Sequence, residues 1–153
     1  MRRDVSRLEL RFGLAIVAVA LLVLSGCGSD GTPTQPIQGK VIYTDGSPVQ
    51  GGMIEFELIS SEAADPELGR PNARGAIQQD GTFRLTTFEA NDGALIGKHR
   101  VLVSVPRPDW QPADGGSPPQ PAVHPKYERY ETSGIEVDID ENTKELTITV
   151  ERP

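Results

Sequence analysis

The sequence predicts an all-β fold, a seven-stranded Greek-key β-sandwich behind an N-terminal leader. Three observations predict it. Sixteen Gly and 13 Pro among 153 residues disfavour helix interiors and suit short strands joined by turns. Beyond residue 36, apolar and polar residues alternate over strand-length runs, the period of two that turns one face to a core and the other to water. No convincing helix follows the leader. Seven such runs at near-regular spacing fit two packed sheets.

The leader comes first. Arg2, Arg3, Arg7 and Arg11 precede an uncharged run over residues 12–24, followed by Ser25, Gly26 and Cys27. A basic stretch, an apolar stretch and small residues form the pattern of a secretory signal. The apolar run is shorter than the roughly 20 residues a helix needs to cross about 30 Å of hydrocarbon, so it reads as a leader and not as a permanent span. Leu24-Ser25-Gly26-Cys27 resembles the lipobox of bacterial lipoproteins. That resemblance implies cleavage before Cys27, a diacylglyceryl group on its thiol and acylation, such as palmitate, of the new amino terminus. Cys27 is the only Cys in the chain, at the one position where the lipid needs it. Two or three acyl chains hold firmly where one does not, because each buried CH₂ contributes about 0.8 kcal/mol. Gly28 follows the Cys. By resemblance to enterobacterial lipoproteins, the absence of Asp there allows either the periplasmic face or the outer membrane.

Charge and composition narrow the partners. Fifteen Lys and Arg against 22 Asp and Glu give −7. The leader holds four Arg, Asp4 and Glu9, a net +2, so the remainder carries −9. An acidic chain lacks the basic face that displaces counterions from phosphates, which argues against nucleic acid. It will not adhere to anionic lipid unaided, so membrane attachment falls to the lipid anchor. One Cys excludes an intramolecular disulfide and a Cys-based zinc site. With only two His, no metal or other cofactor is expected.

The expected organisation is a signal peptide over 1–26, a tether over 27–36 and the sandwich over 37–153. The tether has no large apolar residue and contains Pro33 and Pro36. Strands are expected at 37–44, 52–59, 75–79, 82–88, 98–105, 133–139 and 145–151. The second is the clearest: Ile54, Phe56 and Leu58 point one way, Glu55 and Glu57 the other. Asp45-Gly46 and Asp80-Gly81 supply turns, the second a hairpin signal. Residues 60–74 read as a polar loop. The longest irregular stretch is 106–132, whose Pro residues lack the N–H a central strand needs. A loop of that length is usually functional or disordered.

These segments carry a second resemblance. GKVIYTDGSPVQGGMIEFEL (39–58), AIQQDGTFRLTT (76–87) and DGALIGKHRVLVSV (92–105) look like the transthyretin-like, carboxypeptidase regulatory-like family. Its pattern is a G-x-V strand, a D-G-x-P-V turn, an alternating strand, a D/N-G-x-F hairpin and a G-x-Y-x-V-x-V strand. His124-Pro125-Lys126-Tyr127 and Thr132-Ser133-Gly134-Ile135 are similar to a variant in predicted lipoproteins of planctomycete-type bacteria. His99 stands where the family has Tyr, and Gly51-Gly52 where it often has Gly-Ala. The resemblance implies a transthyretin-like or Ig-like sandwich, and its motifs are structural.

No catalytic set is visible. His99 and His124 are the only candidates for a Ser–His–acid triad, and no G-x-S-x-G elbow surrounds a Ser. The transthyretin-related hydrolases of ureide metabolism use His, Arg and a C-terminal Tyr-Arg-Gly-Ser. This chain ends Val-Glu-Arg-Pro, and that reading requires His99, His124 and Arg100 to converge. Asp138, Asp140 and Asn142 have the spacing that opens an EF-hand, but Thr143 replaces the required Gly and Thr149 the bidentate Glu. They read as a wet strand face and a turn. Trp110, Tyr127 and Tyr130 fall in the long loop, where exposed aromatics stack on sugars or dock partners and otherwise cover a sandwich edge. The expected function is a non-enzymatic, lipid-anchored, extracytoplasmic module that binds or scaffolds an envelope protein or glycan. The alternatives are a carbohydrate-binding module using those aromatics and, behind it, a transthyretin-related hydrolase.

Overall fold

A computed structural model describes residues 34–61, 71–109, 111, 117 and 119–153. The leader, Cys27, the first part of the tether and Trp110 lie outside the described residues. Nine strands occur among those described: β1 Thr34–Gln35, β2 Gln38–Tyr43, β3 Met53–Ser60, β4 Ala73–Ala76, β5 Thr82–Arg84, β6 Ala94–Leu95, β7 Gly97–Ser104, β8 Ile135–Ile139 and β9 Glu145–Val150. A 3-10 turn, Pro125–Glu128, and a one-turn helix α1, Tyr130–Ser133, precede β8.

The strands form three sheets. One has the order β5-β2-β9, another β4-β3-β7-β8, and β1 pairs with β6 alone. All pairings are antiparallel except β2 with β9, which run parallel from Gln38↔Glu145 to Tyr43↔Val150. The two larger sheets feed one core. Val41, Tyr43, Phe83, Ile148 and Val150 come from the first; Ile54, Phe56, Val101, Val103 and Ile139 come from the second. The alternation read from β3 holds, with Ile54, Phe56 and Leu58 buried. The fold is therefore all-β, with the sandwich-like property that two sheets bury their inner faces together.

The turns close as the Asp-Gly pairs require. Gly46 and Gly81 both take φ near +82°, open to Gly at little steric cost. Asp45 accepts from the Ser47 amide at 2.8 Å, and Asp80 accepts from the Thr82 amide at 3.0 Å and its hydroxyl at 2.7 Å. Gly39 serves a different purpose. A Cβ there would lie 2.6 Å from Cζ of Phe83 and closer still to the Leu146 carbonyl, so the ring occupies space a side chain would take.

Several boundaries differ from expectation. Residues 34–35 are not tether: they pair with Ala94 and Leu95, which also makes a strand of part of the expected link 89–97. The third strand ends at Ala76, because its register against Met53–Phe56 fixes it at Ala73–Ala76. Ile77 stays buried just beyond, its amide donating to the Gly52 carbonyl at 2.9 Å. The fourth strand stops at Arg84. Thr86 instead exchanges two backbone bonds with Arg74, at 2.8 and 2.9 Å, joining the β4 and β5 edges. The long loop is not free of helix: α1 occupies Tyr130–Ser133, and Gly134 at φ 68° terminates it. The last-but-one strand consequently begins at Ile135. Among the described residues no helix is long and apolar enough to cross a membrane.

Candidate functional site

Among the described residues, those singled out in the sequence do not assemble into one site. His99 lies on the inner side of β7, 1% exposed, with its ring edge-on to Phe56. Its Nε2 is 2.8 Å from the Leu95 carbonyl, which makes that nitrogen the donor, and its buried Nδ1 has no partner. Burial pushes the His99 pKa down, against smaller upward pulls from the Leu95 carbonyl and Asp138. Arg100 points to the other face of β7, where its Nε and Nη2 donate to one oxygen of Glu57. His124 lies at the start of the 3-10 turn, and its Nδ1 accepts from the Lys126 amide at 3.2 Å. The cluster that a transthyretin-related hydrolase requires is thus not formed.

Of the expected aromatic platform, Trp110 lies outside the described residues and Tyr127 is corrected. Tyr127 is 5% exposed and belongs to the core, with Lys126 Nζ 4.8 Å from its ring centroid. A ring held inside cannot present a face to a sugar. Tyr130 is half-buried; its hydroxyl donates to Glu55 at 3.3 Å and accepts from Asn72 at 3.1 Å. Burial and the Glu55 and Glu57 carboxylates push its pKa far up. It joins a paired surface on the outer side of β3, β4 and β7, which includes Arg74–Glu55 and Arg100–Glu57. Glu55 and Glu57 therefore face outward as the alternation implies, and they are paired.

The turn at Asp140 is likewise self-satisfied. Its Oδ1 accepts from the Asn142 amide, the Thr143 amide and the Thr143 hydroxyl, at 2.9, 2.8 and 2.7 Å. These bonds, the Thr143 hydroxyl foremost, lower its pKa. Among the described residues no group of three His, Cys, Asp or Glu is placed to hold a metal ion.

Among the described residues a concave feature lies elsewhere. A groove of about 610 Å³ runs where the edges of β4 and β5 meet, floored by Gly39, Gly75 and the edge of Phe83. A shallower hollow of about 360 Å³ adjoins it, reaching Lys144. Gln38, Arg84 and Asn91 line both. The strand register explains their meeting: Gln38 is the partner of Arg84 on one side and of Glu145 on the other. These are the outward positions of alternating strands, so their side chains leave the core.

Among the described residues, two cations that stand outside the ion pairs line this concavity. Arg74, Lys98, Arg100, Arg107, Lys126 and Arg152 each stand in an ion pair. Arg84 and Lys144 have no ion-pair or side-chain hydrogen-bond partner among the described residues, and Lys40 lies exposed one row along β2 from Gln38. Sequence reasoning missed this groove. Its residues read one by one as wet strand faces, and only the pairing of β5 with β2 and of β2 with β9 brings them together. Compared with known proteins, the chain matches no family model, no curated protein and no solved structure.

Proposed function

We propose that this chain is a lipid-anchored extracytoplasmic module that binds or scaffolds in the cell envelope and carries out no catalysis. The observation that carries the reading is Leu24-Ser25-Gly26-Cys27 after an apolar run, with the chain's single Cys as its last residue. The anchor is two or three acyl chains at Cys27, which tie the membrane to a negatively charged domain that lipid headgroups would repel. The domain is a Greek-key sandwich of the transthyretin-like, carboxypeptidase regulatory-like kind, in a lipoprotein of planctomycete type. Its strand order supports that reading. Lettered A to G, the seven longer strands group as D-A-G and C-B-E-F, unlike the ABED and CFG sheets of an immunoglobulin constant domain. The partners are an envelope protein or a glycan, with no nucleic acid.

The test is labelling of growing cells with radioactive palmitate, followed by separation of the membrane fraction. The intact chain is expected to carry label and sediment with membranes. Cys27→Ser is expected to lose both. A variant that stays membrane-bound without label would overturn the anchor.

A further inference from the structure

We propose that the groove between β4 and β5, together with the hollow that adjoins it, binds a carboxylated polysaccharide, an acidic glycan of the uronate type, with Arg84 and, in the hollow, Lys144 receiving its carboxylates. The proposal deepens the reading of the chain as an envelope binding module.

The charge argument comes first. The chain is acidic, at −7 overall, and six of its described cations are already paired. Four others among the described residues, Lys40, Arg84, Arg129 and Lys144, stand in no ion pair, and of these Arg84 and Lys144 line the same hollow. An exposed guanidinium presents a planar fork that matches a carboxylate. Glu145 is the one carboxylate in the lining. It lies across Gln38 from Arg84 and next to Lys144 in sequence, so it offsets part of the Lys144 charge and leaves Arg84 the stronger anion contact.

The rest of the lining selects a sugar over a peptide. The Gln38 and Asn91 side-chain amides have no hydrogen-bond partner among the described residues. Each amide donates and accepts, as ring hydroxyls require. The floor offers no deep apolar pocket for a peptide side chain: Gly39 and Gly75 have none to wall one, and Phe83 is buried. Strand addition is also blocked at the join, because Arg74 and Thr86 already exchange backbone bonds and the Gln78 amide donates to the Thr82 carbonyl at 2.8 Å. An extended peptide would need those groups.

The experiment is isothermal titration of the full-length chain in neutral detergent with oligogalacturonate, neutral dextran oligosaccharides and oligoglutamate. Oligogalacturonate is expected to bind, weakening as salt rises, while dextran and oligoglutamate bind at least tenfold more weakly. Arg84→Gln with Lys144→Gln is expected to lose at least tenfold in affinity. Lys98→Gln, which removes one cation paired with Glu136 on β8, is expected to leave it unchanged. Circular dichroism confirms that each variant is folded. The proposal is overturned if the folded native chain does not bind oligogalacturonate, if oligoglutamate binds as well, or if Lys98→Gln weakens binding as much as the double variant. Palmitate labelling of the same preparation reads the anchor separately, so a labelled chain that fails to bind counts against the groove alone.

Discussion

His99 and Arg100 are adjacent in sequence and lie on opposite faces of β7: the imidazole is sealed against Phe56, and the guanidinium is on Glu57 outside. A strand's period of two makes this unavoidable. No main-chain adjustment short of a bulge would bring both to one cleft.

The buried imidazole makes stability depend on pH. Its pKa is lowered in the fold by burial, whereas the unfolded chain protonates near the ordinary value of about 6.5. Above that value both states are neutral and this group costs nothing. Below it the unfolded state takes up a proton first, so stability falls as pH drops from about 6.5 to the folded value. One proton sets a ceiling of about 1.4 kcal/mol per pH unit. Urea unfolding at pH 7.5 and 5.0 is expected to show this loss, and His99→Leu to reduce it. The variant is also less stable at pH 7.5, because it leaves the Leu95 carbonyl without a donor. An unchanged pH slope in His99→Leu would assign the loss to other groups.

Tyr127 and Tyr130 separate a core ring from a surface one. Tyr127→Ala empties a fully packed position and is expected to cost about 3–5 kcal/mol, the range for large aromatics. Tyr130→Phe keeps the ring and removes only the hydroxyl shared by Asn72 and Glu55. Its expected cost is about 0.5–1.5 kcal/mol. Equal, small losses in chemical denaturation would return Tyr127 to the surface.

The all-β class was legible because alternation and Asp-Gly turns are local signals. Ile54, Phe56 and Leu58 follow from spacing alone, and the Gly46 and Gly81 turns from residue type. Boundaries set by pairing were not legible. Arg74 leaves its loop because Glu55 lies opposite, and Thr34–Gln35 becomes a strand because Ala94–Leu95 does. The groove was hidden for the same reason. Arg84, Gln38 and Lys144 are far apart along the chain, and each is an ordinary polar residue in its own segment. Tyr127 misled because proline-rich surroundings mark irregular backbone, which says nothing about whether a ring turns inward.

Gly39 is expected to be intolerant of any side chain. Ala would press its methyl group against the Phe83 ring and the Leu146 carbonyl. One contact is to a buried ring and the other to backbone in the parallel β2–β9 pair, so neither yields cheaply. Gly39→Ala is expected to cost about 1–3 kcal/mol, as overpacking does. Because Gly39 also floors the groove, thermal unfolding should be measured beside glycan titration. A variant with native stability would mean that the sheet opens freely at this point.

Asp92 organises the segment that brings Asn91 to the groove. Its Oδ1 accepts from the Thr87 amide at 2.7 Å, and its Oδ2 from the Phe88 and Glu89 amides at 2.9 and 3.0 Å. Burial raises its pKa, but the amide bonds together outweigh that and hold it below the ordinary value. A depressed carboxylate stabilises the fold above its unfolded pKa of about 3.9, and that contribution is lost as pH falls through the folded value. Asp92→Ala is therefore expected to cost about 1–2 kcal/mol at pH 7 by freeing three amides that water partly satisfies, and the difference from native should shrink below pH 4. Asp92→Asn keeps one acceptor oxygen and should fall between. Asn91 holds φ 62° while its amide donates to the Thr86 hydroxyl at 3.0 Å, so loosening this loop displaces a groove wall. Oligogalacturonate affinity should drop with Asp92→Ala and partly recover in Asp92→Asn. Native affinity in a destabilised Asp92→Ala would show that Asn91 is not a required contact.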